Sequence, residues 1–221
     1  MRTPGRTMLV ASAIQFLIGS LLFVPVLATA EAIAFKVHSN YSRATFKSDA
    51  PLETIVGTTA GPGVSGTVTL DPAKPQAASG VIRVDLTTVN SGVAKRDADM
   101  KGPEYLDTAN EANRYAVFEI KSVEIVGALE SGKGIPAKVK GILTIKGKPV
   151  ETTAEARITY LKLSPEQLET QKRWGFTSDN IKIRAKFQTT FTNHGMQIPQ
   201  LLILKLANDI QLETDLTLVR Q

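Results

Sequence analysis

Four carboxylates and three basic side chains crowd the first half of one stretch of the chain, and that stretch is where any chemistry would be sought. Residues 95–122 read KRDADMKGPEYLDTANEANRYAVFEIKS, so Asp97, Asp99, Glu104 and Asp107 lie close in sequence with Lys95, Arg96 and Lys101 among them. Two carboxyl groups held together can act as general acid and general base. A run of this kind is more often a solvated loop whose charges balance. Asp97, placed after a strand, can also bond backbone N–H groups in a turn. The chain has two histidines, His38 and His194. Neither has a partner at metal-ligand spacing, H-E-x-x-H and G-x-S-x-G are absent, and there is no cysteine. His38 is expected on the polar face of a strand and His194 in a turn, both in contact with water. We assign no catalytic residue, no metal and no cofactor. Asn40-Tyr41-Ser42 has the form of a glycosylation sequon, a triplet that often arises by chance.

The elements that position this stretch begin after residue 30. Arg2 and Arg6 precede an apolar run at 8–27, and Ala28-Thr29-Ala30 follows as an A-x-A site. This is the layout of a secretory signal peptide cleaved after Ala30. The run, about 20 residues long, could span a membrane if retained, and Pro25 ahead of the small residues favours cleavage. The expected organisation is a signal peptide over 1–30 and one domain over 31–221, in the periplasm or outside the cell. Cleavage removes two arginines and lowers the formal charge from +5 to +3. That is mild, and no basic stripe with interleaved aromatics exists, so nucleic acid is not an expected partner. Without disulfides, stability must come from core packing and ladder hydrogen bonds.

The 31–221 region reads mostly as strands, because apolar residues recur at period two. The segments are 35–39, 44–46, 65–71, 81–89, 117–126, 137–146, 151–161, 181–191, 200–207 and 210–219, with a bulge near Ser122 where the apolar phase changes. Residues 54–63, rich in Thr and Gly, are expected as a turn region. One helix is signalled by Ser164 as cap, Pro165 at the first position and Gln167 completing a capping box. The charged group Lys95, Arg96, Asp97 and Asp99 reads as a turn. The segment that follows, with apolar Tyr105 and Leu106, reads as a lid over the mouth of a β structure. About eight or nine strands suit an antiparallel barrel or a sandwich. An eight-stranded barrel is just wide enough to be filled by side chains or to hold one small ligand.

Several motifs then fall into a familiar order. V-N-S-G at 89–92, Arg96-Asp97, E-Y-L-D at 104–107, A-V-F-E at 116–119 and K-G-I-L-T-I-K-G-K-P-V at 140–150 resemble the YceI-like family of secreted lipid-binding proteins. Gly66 matches the family's early glycine, and 191–218 resembles a branch with a G-x-x-I-P segment and a final strand. The resemblance covers nearly all of 31–221. The chain departs from the pattern at Asp99-Met100, at the inserted Glu111-Ala112-Asn113, and in its longer 164–176 excursion.

The resemblance implies an all-β fold: an extended, lipocalin-like antiparallel β-barrel of about eight strands with one short helix and a loop or helix segment over the mouth. It implies a long-chain amphiphile as ligand, a polyisoprenoid, an isoprenoid quinone or a fatty amide, in an apolar tunnel. By position it assigns the lining to Phe46, Val68, Leu70, Val84, Leu86, Phe118, Ile120, Leu143, Ile145, Ile183, Phe187, Leu204 and Leu216. Arg96 and Asp97 are assigned to ordering the loop. Transient membrane contact and a homodimer are compatible with this reading. Two rivals stand beside it. A small outer-membrane β-barrel fits the alternation but not the 6% aromatic content. A periplasmic hydrolase would use Asp97, Asp99, Glu104 and Asp107.

Overall fold

Period-two alternation produces a set of strands that pair side by side into one continuous sheet. The structure, a computed structural model, describes residues 32–201 and 204–221; the signal peptide expected over 1–30 lies outside the described residues. The strands are β1 (Ile33–Val37), β2 (Arg43–Ala50), β3 (Glu53–Thr59), β4 (Val64–Leu70), β5 (Ser79–Asp85), β6 (Val89–Asn90), β7 (Tyr115–Ile125), β8 (Gly134–Ile145), β9 (Lys148–Lys162), β10 (Asp179–Thr190), β11 (Gln200–Leu201), β12 (Leu204–Lys205) and β13 (Asp209–Arg220). Two helices join them, α1 (Ala94–Lys101) and α2 (Pro165–Gln171).

Six of these strands combine into three broken staves. β1 and β2 lie end to end along β13, with Val37 opposite Leu218 and Arg43 opposite Asp215. β4 pairs with β1 and β3 with β2. β5 pairs with β4 and β6 with β3. β7, β8, β9, β10 and β13 are each a single stave. Among the described residues every pairing between these strands is antiparallel, and β13 closes back onto β1 and β2, giving a closed eight-stave barrel. Closure leaves no long unpaired edge, which suits a chain without disulfides.

The breaks have local causes. Asp85 accepts hydrogen bonds from the Thr87 amide at 3.0 Å and the Thr87 hydroxyl at 2.6 Å, turning the chain between β5 and β6. Gly63, between β3 and β4, lies against Thr88, where a Cβ would come within 2.2 Å of the hydroxyl. In β7 the register shifts between Ile120 and Ser122, so the expected bulge is present. The helix signalled at Ser164 is also present: Ser164 Oγ accepts from the Gln167 amide and Gln167 Oε1 accepts from the Ser164 amide.

Three local expectations are corrected. Residues 54–63 are largely strand β3, because Gly57 and the threonines form an inner and outer face against β2. The charged turn at Lys95–Asp99 is helix α1, held by contacts from outside its own sequence. Of the apolar run 200–207, the described residues form β11 and β12, which pair with each other apart from the barrel sheet.

The inward face is apolar and the outward face is charged. Glu124, Lys138, Glu155, Lys186 and Glu213 stand opposite one another across five adjacent staves, alternating in sign. This is the reverse of the apolar exterior that a membrane-spanning barrel requires. One end of the barrel is filled. Phe35, Val64, Val68, Leu70, Ile181, Leu216 and Leu218 are buried there with small residues such as Ala154 and Ala156 between them. The Tyr160 hydroxyl donates to Asp179, which also accepts from Ser178 and Arg220, closing that end with a paired buried charge.

Candidate functional site

The opposite end of the barrel is hollow. A cavity of about 1030 Å³ opens between the β2–β3 hairpin, the excursion from Ser91 to Arg114, the β8–β9 hairpin and the connection from β10 to β13. This volume is at the upper end of what single small-molecule sites enclose. Its walls are mainly apolar: Phe46, Ile55, Leu86, Leu143, Ile145, Phe191, Ile210 and Leu212 from the barrel, and Met100, Tyr105 and Leu106 from the excursion above.

The floor is an aromatic pair. The rings of Phe118 and Phe187 lie 5.7 Å apart at 43° and touch both the filled core and the cavity cluster. Two glycines make room for rings at this level. A Cβ on Gly141 would sit 2.5 Å from the Phe118 ring, and one on Gly57 would sit 2.2 Å from the Phe46 ring. Glycine in a strand often marks such a close approach.

The excursion is held over the mouth by a polar network. Asp97 Oδ1 accepts from the Ser91 amide at 2.8 Å and the Ser91 hydroxyl at 2.6 Å. Arg96 donates through Nε to Ser91 Oγ at 2.8 Å and through Nη1 to Glu53 Oε1 at 2.6 Å. Burial works to raise the Asp97 pKa, but the Ser91 hydrogen bonds and the charges of Lys101 and Arg96 outweigh it and hold the carboxyl below its ordinary 3.8. At the far end of the excursion, Arg114 pairs with Asp85 at 2.9 Å. Arg96 and Asp97 thus order the segment. The other carboxylates are engaged separately: Asp99 with Lys95, and Asp107 with Asn113. Glu104 is exposed. Among the described residues, none of these four carboxylates shares a hydrogen-bond partner with another.

His194 lies in the expected turn, but its exposure is corrected: it is 0% exposed. Its Nδ1 lies 3.1 Å from the Lys148 carbonyl and its Nε2 lies 2.7 Å from Thr189 Oγ1. A carbonyl only accepts, so Nδ1 carries the proton and Nε2 accepts from the Thr189 hydroxyl. Burial holds its pKa below the ordinary 6.5, against the hydrogen bonds to the Lys148 and Ile145 backbone. The histidine ties the β8–β9 hairpin to the segment carrying Phe191 and Met196, both at the cavity wall. His38 is half-buried, with Nε2 2.8 Å from the Trp174 carbonyl.

One polar group on the wall is left over. Ser48 follows Phe46 on the inner face of β2 and is 2% exposed. Its hydroxyl has no hydrogen-bond partner among the described residues. An unsatisfied buried hydroxyl costs about 1–3 kcal/mol.

The profile of the YceI-like domain matches residues 35–218 of this chain. The chain belongs to the YceI-like family. A UPF0312 protein of Vibrio cholerae is 35% identical over 92 residues, 41% of this chain. That alignment spans 44% of the relative's length, so the chain matches less than half of the curated relative. Among solved structures, BcnA of Burkholderia cenocepacia superposes with a TM-score of 0.59 at 17% identity, over 82% of this chain and 98% of BcnA. A polyisoprenoid binding domain from Saccharophagus degradans superposes with a TM-score of 0.60 at 12% identity, over 86% and 99%. At these identities the likeness is one of fold.

Within this YceI-like barrel the expected lining residues divide by depth. Phe46, Val84, Leu86, Phe118, Leu143, Ile145 and Phe187 border the cavity. Val68, Leu70 and Leu216 are buried in the filled end, and Ile120 and Ile183 pack against it. The side chain of Leu204 lies outside the described residues; its backbone pairs with Leu201. Sequence reasoning missed Ile55, Phe191, Met196 and Ser48. Ile55 was hidden by the reading of 54–63 as a turn region, and Ser48 lies just past the expected strand 44–46. Met196 sits in the non-repetitive connection, where no period points inward.

Proposed function

We propose that this YceI-like protein holds one long-chain amphiphile, a polyisoprenoid, an isoprenoid quinone or a fatty amide, in the hollow end of its barrel, for transport, storage or sequestration. It acts by binding and carries out no reaction. The observation that carries this reading is the large apolar cavity above the Phe118–Phe187 floor, closed on top by Met100, Tyr105 and Leu106. Each methylene moved from water into such a site contributes about 0.8 kcal/mol. A long tail therefore supplies affinity with few polar contacts, as the walls here offer. The match to the YceI-like family, and the likeness in fold to a polyisoprenoid binding domain, support the same class of ligand. The N-terminal sequence supports a place in the periplasm or outside the cell, since its charge, apolar run and A-x-A site have the layout of a signal peptide.

The test is native mass spectrometry of the protein purified gently from the compartment it is exported to, before and after organic extraction. A stoichiometric long-chain lipid released by solvent is the expected result. An apo mass that persists after offering prenyl lipids and fatty amides would overturn the reading.

A further inference from the structure

Two neighbouring rows on the outer wall follow opposite rules of charge. The row from Glu124 to Glu213 alternates in sign. The next row toward the filled end does not. It runs Pro136, Arg157, Arg184, Asp215, Arg43 from β8 to β2, so Arg157 stands directly opposite Arg184, and Asp215 lies between Arg184 and Arg43. Like charges face to face across a strand pair are unfavourable. The single carboxylate does not offset them. Asp215 is shared between Lys182 at 3.3 Å and Arg184 at 3.8 Å, and Arg43 and Arg157 have no ion-pair partner among the described residues. The wall thus presents an excess of positive charge to water.

The same face carries apolar surface. One row below, Thr217 stands opposite Lys182, and its carbonyl accepts from the His38 amide at 2.7 Å. The His38 ring reaches the 164–176 excursion, donating from Nε2 to the Trp174 carbonyl at 2.8 Å. The rings of Tyr41 and Phe176 lie 5.1 Å apart beside it. Trp174 is 52% exposed, with the Arg173 guanidinium over its ring at 5.2 Å. Tyr41 at 42% and Leu161, on the outer side of β9, at 43% are exposed as well. Half-exposed Trp and Tyr rings among arginines have the composition of a water–bilayer interface, where apolar ring, polar tip and charged head are all accommodated. A soluble polyanion would engage the arginines and leave Trp174, Tyr41 and Leu161 in water; a bilayer engages both. This excursion is also where the chain departs from the family pattern, and none of these residues borders the cavity.

We propose that this face, with Arg157, Arg184 and Arg173 as its cations and Trp174, Tyr41 and Leu161 as its apolar contacts, docks the barrel on an anionic phospholipid surface. The contact is peripheral: the arginines meet lipid phosphates and the rings enter the headgroup layer. It goes beyond the carrier reading and does not depend on what the cavity holds.

Trp174 is the only tryptophan of the chain, so its fluorescence reports this face directly. The experiment adds vesicles of phosphatidylglycerol and phosphatidylethanolamine, or of phosphatidylcholine alone, to the processed protein, confirmed by mass to lack the apolar run at 8–27. Anionic vesicles are expected to move the Trp174 emission to shorter wavelength and to carry the protein upward in a flotation gradient. Neutral vesicles should bind about tenfold or more weakly. Raising the salt from about 0.1 M to about 1 M shortens the screening length from about 10 Å to about 3 Å and should release the protein. Each basic residue near such a surface is worth about fivefold in binding, so Arg157→Gln with Arg184→Gln should weaken it about tenfold or more. Removing two opposed charges should leave the melting temperature no lower than the parent's, and the emission of the unaltered chain decides the question whichever way the variant melts. Flotation without a change in Trp174 emission would place the contact elsewhere and overturn the proposal. Equal binding to neutral and anionic vesicles, or no binding to either, would overturn it too. An emission shift produced by heparin and by no vesicle would give the face to a soluble polyanion instead. A vesicle lipid entering the cavity does not touch Trp174, so each of these outcomes leaves the carrier reading to its own test.

Discussion

Arg96 Nη1 meets Glu53 Oε1 at 2.6 Å across 43 residues of sequence, and this contact ties the helix over the cavity to the β2–β3 hairpin beside it. Both side chains are partly exposed, so the pair contributes only about 0.2–1 kcal/mol. Its effect should appear in ligand exchange more than in stability. Glu53→Gln should leave the denaturant midpoint nearly unchanged and speed Nile red release by about two- to fivefold. Arg96→Ala also removes the bond to Ser91 Oγ and should cost about 1–2 kcal/mol in addition. Stopped-flow release and equilibrium unfolding check both. Unaltered release in both variants would mean that the tie does not control entry.

The division of the barrel into a filled and a hollow end predicts opposite phenotypes for two inner residues. Leu216 is 4% exposed within the filled core. Leu216→Ala should cost about 2–5 kcal/mol and leave ligand affinity alone. Phe46 borders the cavity and is only half-buried. Phe46→Ala should cost less stability than Leu216→Ala and weaken a long-chain ligand about tenfold. Equal loss of binding in the two variants would argue against the boundary at the Phe118–Phe187 pair.

The buried His194 predicts a pH limit on stability. Its folded pKa lies below the ordinary 6.5 because burial disfavours the charged ring. Above that value both folded and unfolded chains carry it neutral, and the protein keeps its full stability. As pH falls below 6.5 the unfolded chain takes up a proton that the folded one resists, so stability declines until the folded pKa is reached. His194→Gln should flatten the unfolding free energy between pH 7 and pH 5 relative to the parent, read by urea denaturation at each pH. A parent whose stability does not change over that interval would contradict the assignment. The acid limb below pH 4 belongs instead to carboxylates such as Asp97, whose folded pKa lies under 3.8 and whose contribution is lost as pH falls through it.

What was legible in the sequence is what local pattern determines. The staves β8, β9, β10 and β13, with long alternation, were readable, as were the capping box at Ser164 and the bulge at Ser122. The errors share a physical cause, which is dependence on distant partners. Gly57 looked like a turn residue, but its small size serves the Phe46 ring across the pair. Helix α1 lacks a side-chain cap of its own and is organised by Asp97, Ser91 and Glu53. His194 in a polar triplet gave no sign of burial, because its partners Thr189 and Lys148 come from two other strands. Period two told which residues face inward. It could not tell Leu212 at the hollow from Leu216 in the core, since both satisfy the same pattern on the same strand.

The alternating exterior also guards how the barrel is assembled. A one-residue slip of any stave would turn its apolar face to water. A two-residue slip keeps the faces right, and the hydrophobic effect alone would tolerate it far better. In the native register Lys138 and Lys186 both stand opposite Glu155. Sliding β8 by two residues along β9 in one direction would bring Lys138 face to face with Arg157, which the native register sets opposite Pro136. Between β8 and β9 the outer charges therefore proofread an error that the core cannot detect.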